Sequence, residues 1–520
     1  MRIRDRGLAI LACSTAQQGM TILVGIVLVR LVTKGTFGTY RQLDLVLVSL
    51  ASLFSLRLSQ SLYYFVPRLE QGRRRVLVNQ TVLFSLLTAL LIAAAMFFGA
   101  DWIAVFLKNP PLAQLLRIFA FYPFVDLILE LVPAFMISLD RAVAGGLFSL
   151  ASVGARMATV VTIFALGYGL QDVVVGVVVS GMVFAIAGVL LMRRASPVAA
   201  EPFDKALMWE QIAYTVPLQA AALVGVLNIE FDKLVISRVF DPAVYAVYSV
   251  GALEMPVVGL ILASVGTAIM PTLVTLAAKG QLRESLAIWN EGTRKCSFVV
   301  FPIFALCVVI APDLMVFLYG AAYVDAAWPF MIFACVLPLR IANYGAMLRA
   351  AGRTKPIALN VLVGLASNVV ISLALVWIGW GTMLSYLGPS IGTVISQFVI
   401  GWHLLRWISR ITEVPMRQVM RWRELGWTLL VCVFIGAVVF LLPLSSVWLP
   451  ARLAVRIGVY GVLFVGAAFL LKMLTNDEKH LVFAPLHAIR RLAFGRAGAG
   501  PQGAGGPVGE PKDHRRGDSL

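Results

Sequence analysis

Three arginines, Arg57, Arg156 and Arg340, stand near the middle of long apolar runs. A permanent cation at that depth in a membrane helix costs at least ~2.5–3.5 kcal/mol on insertion scales, so each needs a partner or a wet cavity. Arginine suits phosphate and carboxylate, because it stays charged and presents a planar fork of donors. Arg30 and Arg117 lie toward the outer ends of their runs, where snorkelling accommodates a cation cheaply. The acids inside apolar runs are Asp44, Asp126, Glu130, Glu230, Asp232 and Glu254. Asp126 and Glu130 are four apart and share one helix face, and Glu230 and Lys233 are three apart and can pair. Two readings follow. In one, acids such as Asp126 or Glu130 neutralise the arginines inside the bundle. In the other, the arginines line a water-filled, partly cationic cavity, and Asp126, Glu130, Asp232 and Glu254 are candidates for holding a coupling ion. Gln60, Tyr64, Tyr122 and Asn343 lie close by in sequence and offer the stacking faces and polar groups that sugars need.

Nothing in the sequence points to bond-making chemistry. No nucleophile–base constellation or metal-ligand cluster stands out, and no GxxxxGK[ST] loop is present. Catalytic residues, metal and cofactor are all expected to be absent. The five cysteines lie in or beside apolar runs without CxxC spacing and read as small core residues.

The elements that must position these charges are membrane helices. Of 520 residues, 60 % are hydrophobic and 13 % charged, against about 25 % charged in soluble domains. The expected fold is all-α and polytopic, with spans at 7–32, 42–66, 77–99, 113–138, 143–168, 171–192, 211–238, 243–271, 296–319, 327–349, 357–378, 384–406, 425–443 and 452–474. With the N-terminus in the cytoplasm, arginine-rich and lysine-rich loops alternate correctly along nearly the whole chain. Both termini are then cytoplasmic. The net charge of +17 becomes a topology signal with attraction to anionic inner-membrane lipids, rather than a nucleic-acid footprint. Residues 479–496 have the pattern of a basic amphipathic helix, and 498–520 are Gly/Pro-rich and polar, the composition of a disordered tail.

The chain also repeats itself weakly. RLVTKGTFGTY (Arg30–Tyr40) matches RVFDPAVYAVY (Arg238–Tyr248), and IFAFYP from Ile118 matches IFACVLP from Ile332, in order and at similar offsets. The division expected is a six-helix lobe at 1–194, a linker at 195–210, a second six-helix lobe at 211–408, two further helices within 409–474 and a tail at 475–520. An even number of spans per lobe places the pseudo-twofold axis along the membrane normal and a site between the lobes.

RLVTKGTFGTY, SLYYFVPRL, FDKLVISRVFDPAVYAVYSVGALEMP and LRAAGRTKP resemble the polysaccharide transporter family. These are the O-antigen and exopolysaccharide flippases of the multidrug/oligosaccharidyl-lipid/polysaccharide exporter superfamily. The resemblance implies a MATE-like two-lobed bundle around a central cavity. It also implies a substrate of undecaprenyl-pyrophosphate-linked oligosaccharide, with polysaccharide polymerase and chain-length regulator as partners. In that picture lobe arginines hold pyrophosphate or acidic sugar. Multidrug exporters of the superfamily often carry an acid in the first helix, whereas here none lies between Asp5 and the outer end of the run, which counts against a drug/cation antiporter. Lipid II flippases use an arginine in the outer part of the first helix, so Arg30 keeps that alternative open.

Overall fold

The structure is a computed structural model that describes residues 3–196, 203–252, 256–444, 446–471 and 473. Clustering of the backbone separates two compact units, 1–461 and 462–520. The tail segments expected to be amphipathic and disordered lie outside the described residues, as does Glu254.

The described residues form helices and no strands. In chain order the helices are α1 Ile3–Leu31, α2 Lys34–Phe54, α3 Leu58–Phe65, α4 Gln71–Phe98, α5 Ala100–Phe106, α6 Leu112–Phe119, α7 Tyr122–Ser138, α8 Ala142–Ala165, α9 Leu170–Ala195, α10 Lys205–Val239, α11 Pro242–Gly251 and α12 Pro256–Ala278. They continue as α13 Leu282–Tyr319, a 3-10 turn Ala321–Ala326, α14 Ala327–Ala334, α15 Leu337–Arg340, α16 Tyr344–Ala350, α17 Lys355–Ile378, α18 Met383–Thr412, α19 Met416–Val419, α20 Trp422–Phe440 and α21 Leu449–Leu470. Among the described residues, twelve helical stretches are long and apolar enough to cross a membrane, and α2 with α3, bent by 53°, make a thirteenth. Large apolar side chains on their outer faces are solvent-accessible, as at Phe98 (83 %) and Trp377 (79 %). A soluble protein does not tolerate such surfaces, and a bilayer requires them.

The fourteen expected spans differ from the helices mainly at breaks and ends. Span 113–138 is divided between α6 and α7, because Pro123 at the start of α7 lacks an N–H and crowds the carbonyl four residues back. The matched span 327–349 breaks at the corresponding place, with Pro338 in the first turn of α15. Span 243–271 is likewise divided, α12 opening on Pro256. The bend between α2 and α3 contains neither Gly nor Pro. There Arg57 takes a left-handed backbone at φ 44°, which costs roughly 1–2 kcal/mol for a residue with a Cβ. Helix α2 begins at Lys34, eight residues before the expected start, and α13 begins at Leu282 rather than near 296.

The repeat has a physical counterpart. Thr33 and Asp241, matched in the sequence, cap α2 and α11 with nearly the same extended backbone, φ −69° and −67° with ψ 157° and 158°. The two helices pack directly on each other. At the crossing a Cβ on Gly38 would fall 1.8 Å from the Pro242 carbonyl oxygen, so only glycine permits this approach. Buried polar bonds close the same end of the bundle. Gln42 donates to Ser237 Oγ (2.8 Å) and to the Leu107 carbonyl (3.2 Å), and Asn109 donates to Gln42 Oε1 (2.6 Å) and Thr39 Oγ1 (2.9 Å). Lys108 reaches the Val239 carbonyl at 2.8 Å. A core running from Leu43, Ile92 and Val125 to Ala246, Ala311 and Met315 surrounds these bonds.

Helix α21 is fastened to α13 by charge. Arg452 and Arg456 reach opposite oxygens of Asp313 at 2.7 and 2.5 Å, and all three side chains are less than a quarter exposed. Removing the one anion leaves two confined cations, which costs ~3–5 kcal/mol when a buried pair is broken. Asp313→Ala is therefore expected to lower the melting temperature of the purified protein sharply. Adding Arg456→Leu should recover most of the loss. An unchanged melting curve for Asp313→Ala would contradict this account of the fastening.

Candidate functional site: two charged cavities

Two cavities sit at membrane depth, and no residue lines both. The larger, about 670 Å³, lies among α1, α2, α7, α8 and α9. Its charged residues are Arg41, Asp44, Asp126, Glu130 and Arg156, three acids to two cations. Arg156 donates to Asp44 Oδ1 at 2.8 Å, with both side chains about a quarter exposed. Arg41 approaches the other Asp44 oxygen at 4.0 Å. The Arg156 guanidinium lies 4.9 Å from the centre of the Tyr122 ring, and its buried Nε has no hydrogen-bond partner among the described residues. Asp126 and Glu130 stand one turn apart on α7, and Glu130 accepts from Ser59 at 2.7 Å. A fixed guanidinium with donor capacity in reserve, bordered by acids, can hold an anion or exchange partners with one.

The smaller cavity, about 350 Å³, lies among α10, α12, α14, α15 and α18, with Gln18 of α1 at its edge. Asp232, Lys233 and Arg340 give it two cations and one acid. Asp232 is buried and accepts the Tyr248 hydroxyl at 2.9 Å. Lys233 pairs with Glu230 at 2.9 Å, as its spacing predicts. Asn228, Thr393 and Gln397 add polar lining. At the repeat offset of 208, Ile229, Asp232 and Lys233 stand where Thr21, Val24 and Gly25 line the first cavity. The two cavities are thus matched in position and opposite in charge balance.

Among the described residues, Arg57, Arg156 and Arg340 line three different pockets instead of the one shared chamber expected. Arg156 faces the first cavity and Arg340 the second, while Arg57 sits at the α2–α3 break beside Ser55, Ser59, Thr88 and Glu130. The partner of Arg156 is Asp44 rather than Asp126 or Glu130. Arg30 lies outside both cavities and donates to the Phe317 carbonyl of α13 at 2.6 Å. Arg117 forms an exposed pair with Asp101 at 2.6 Å. Gln60 is exposed on α3, and Tyr64 stacks on Tyr214 at 4.7 Å with Arg68 lying 3.6 Å over its ring. Tyr122 is buried and stacked on Phe119. Asn343 caps α16, accepting from the Ala346 N–H at 3.2 Å, and its carbonyl receives the Trp289 indole at 3.1 Å. Arg30, Tyr64 and Asn343 therefore make structural contacts in this conformation, while Arg117 makes only an exposed pair.

Asp44, one of the acids inside apolar runs but given no site role from sequence, and Arg41 are the residues that the structure adds to the site. Placing the second span at 42 assigned Arg41 to an outer loop. The signal available was their spacing of three, which puts both on one face of a helix once the helix begins at Lys34. An exposed pair such as Arg117–Asp101 contributes about 0–1 kcal/mol. Arg117→Ala is accordingly expected to leave both melting temperature and export near the parent values, as melting and surface-polysaccharide assays would register.

A family described as polysaccharide biosynthesis protein matches residues 27–328. No curated protein matches the sequence. Among solved structures, the lipid II flippase MurJ in an inward closed conformation is similar at TM-score 0.68 and 12 % identity, covering 90 % of this chain and all of that one. An inward-facing multidrug resistance MATE family transporter of the MOP superfamily is similar at TM-score 0.61 and 14 % identity, covering 76 % of this chain and 95 % of that one. A MOP superfamily transporter from Pyrococcus furiosus is similar at TM-score 0.52 and 14 % identity, covering 78 % and 94 %. These likenesses establish the fold, in agreement with the resemblance carried by the sequence motifs. The family match, spanning more than half of the sequence, shows that this chain belongs to the polysaccharide biosynthesis protein family.

Proposed function

We propose that this protein is a flippase for lipid-linked oligosaccharide, moving undecaprenyl-pyrophosphate-bound repeat units across a bacterial inner membrane for O-antigen or exopolysaccharide assembly. The observation that carries the reading is a pair of repeat-matched cavities at membrane depth, each holding an arginine, Arg156 or Arg340. Arginine forks match phosphate and carboxylate, and the flanking polar residues match sugar hydroxyls. Alternating access then amounts to one lobe (1–194) rocking against the other (211–408), with the α2–α11 contact and the Gln42–Ser237 bond released when the outer end opens. Cytoplasmic termini, the polymerase and chain-length regulator partners, and the absence of enzymatic chemistry belong to the same reading. Asp126 and Glu130 are its candidate ion-coupling pair.

One observation favours a second reading. The acid excess of the first cavity suits a cation, as a drug or cation antiporter would require. Deleting the gene separates the two. Loss of surface polysaccharide with trapped lipid-linked intermediate and unchanged drug tolerance is the expected result. Normal polysaccharide with lowered drug tolerance would replace the flippase by the antiporter.

A further inference from the structure

A third cavity, about 690 Å³, opens at the arginine-rich end of the bundle and shares no lining residue with the two charged cavities. It is built from four places in the chain: the end of α12, the start of α13, the α16–α17 turn and the end of α18. Its cations are Arg353, in the turn that follows Gly352 at φ 69°, and Arg410. Trp407 stands beside them, with the Arg410 guanidinium 5.5 Å from its ring. The remaining wall is apolar, including Val274, Leu282 and Ile411. No acid lines the cavity. Glu413 follows Arg410 by three residues, yet no ion pair joins them. Leu282 also begins α13, where Glu284 in the first turn accepts from Gln281 at 3.1 Å and offsets the helix dipole, so the anion affinity rests on the two arginines.

We propose that this cavity binds the phosphate headgroup of an anionic phospholipid, with Val274, Leu282 and Ile411 receiving the first part of its acyl chains. Arginines hold the phosphate by forked hydrogen bonds. A tryptophan with one apolar and one polar edge belongs at the boundary between headgroups and hydrocarbon. Basic pockets between helices at the cytoplasmic face are where acidic headgroups settle. The combination of two cations, an indole and an apolar wall fits a lipid better than a free anion, because a free anion gains nothing from the apolar part. The site is independent of the transport path, since neither Arg156 nor Arg340 borders it.

The test uses the purified full chain in neutral detergent, supplied with phosphatidylglycerol or phosphatidylcholine, with retained lipid counted by native mass spectrometry. Phosphatidylglycerol should be retained about tenfold more than phosphatidylcholine, and Arg353→Ala/Arg410→Ala should abolish that excess, a loss worth ~1.4 kcal/mol. Ala278→Trp, which narrows the cavity between the arginines and the apolar wall without altering charge, should lower it too. Arg417→Ala/Arg423→Ala removes two cations that do not line the cavity and should leave retention unchanged. Equal loss in that control, or no loss in the first two variants, overturns the proposal. Displacement by inorganic phosphate at equal concentration would show a simple anion site and overturn the lipid assignment. Preferential retention of a short polyprenyl pyrophosphate over phosphatidylglycerol, with the same arginine dependence, would overturn it in favour of the transported substrate.

Discussion

Arg156→Ala is expected to cut export by about tenfold or more at matched protein level, a change equivalent to at least ~1.4 kcal/mol. The guanidinium is held in a defined position by Asp44 at 2.8 Å and by the Tyr122 ring. Breaking a fully buried pair costs ~3–5 kcal/mol. These side chains are about a quarter exposed to their cavity, so a loss nearer ~1–3 kcal/mol in stability is expected. Asp44→Asn should behave similarly, because it leaves Arg156 and Arg41 without the anion between them. The double variant Asp44→Asn/Arg156→Gln separates structure from transport. It removes both charges, with Asn isosteric to Asp and Gln keeping a polar donor on a shorter side chain. Its melting temperature should return close to that of the parent, with coupling between the sites of ~0.5–3 kcal/mol, while export stays low. If export recovers together with the fold, Arg156 serves the bundle and not the cargo. Flipping of a fluorescent lipid-linked sugar in vesicles, run beside thermal melting, reads both quantities.

Gly38→Val carries the second large effect. The new Cβ would meet a backbone carbonyl at 1.8 Å, and a carbonyl in a helix cannot rotate aside as a side chain can. Helices α2 and α11 must therefore move apart. Overpacking costs typically ~1–3 kcal/mol, and more where backbone must shift. Gln42 lies one turn further along α2, so its bonds to Ser237 and the Leu107 carbonyl are strained by the same movement, at roughly 0.5–1.5 kcal/mol each. The closed end of the bundle should loosen. A cysteine placed at Ser237, which is fully buried, should react with a water-soluble thiol reagent about tenfold faster or more when Gly38→Val is present, as a ~1.4 kcal/mol shift in an opening equilibrium implies. Labelling and melting identical to those of the parent would mean that α2 and α11 do not form the closure.

The legible and illegible parts of this molecule can be told apart residue by residue. The break before Pro123 divides the single expected span 113–138, although its cause is local: a missing N–H acts within four residues of itself. The bend at Arg57 has no such local cause, since nothing in SLRLSQ disfavours a continuous helix and the left-handed backbone there is imposed by packing. Glu230–Lys233 was readable as an i,i+3 pair. Arg156–Asp44 was not, because 112 residues separate its partners and helical periodicity assigns a side chain to a face without saying what stands opposite.

By itself, the sequence determined that this chain is a bundle of apolar helices, roughly where the spans lie but not their breaks and ends, and that its two halves echo each other. Those properties depend on summed transfer free energies and local backbone chemistry, which are written in consecutive residues. Tertiary structure alone decided that Arg156 and Arg340 face separate cavities of opposite charge balance while Arg57 sits at the α2–α3 break, that Asp44 holds Arg156, and that Gly38 meets the first turn of α11. Charges in a low-dielectric interior are governed by the groups within a few ångströms, and only the folded chain brings those groups together.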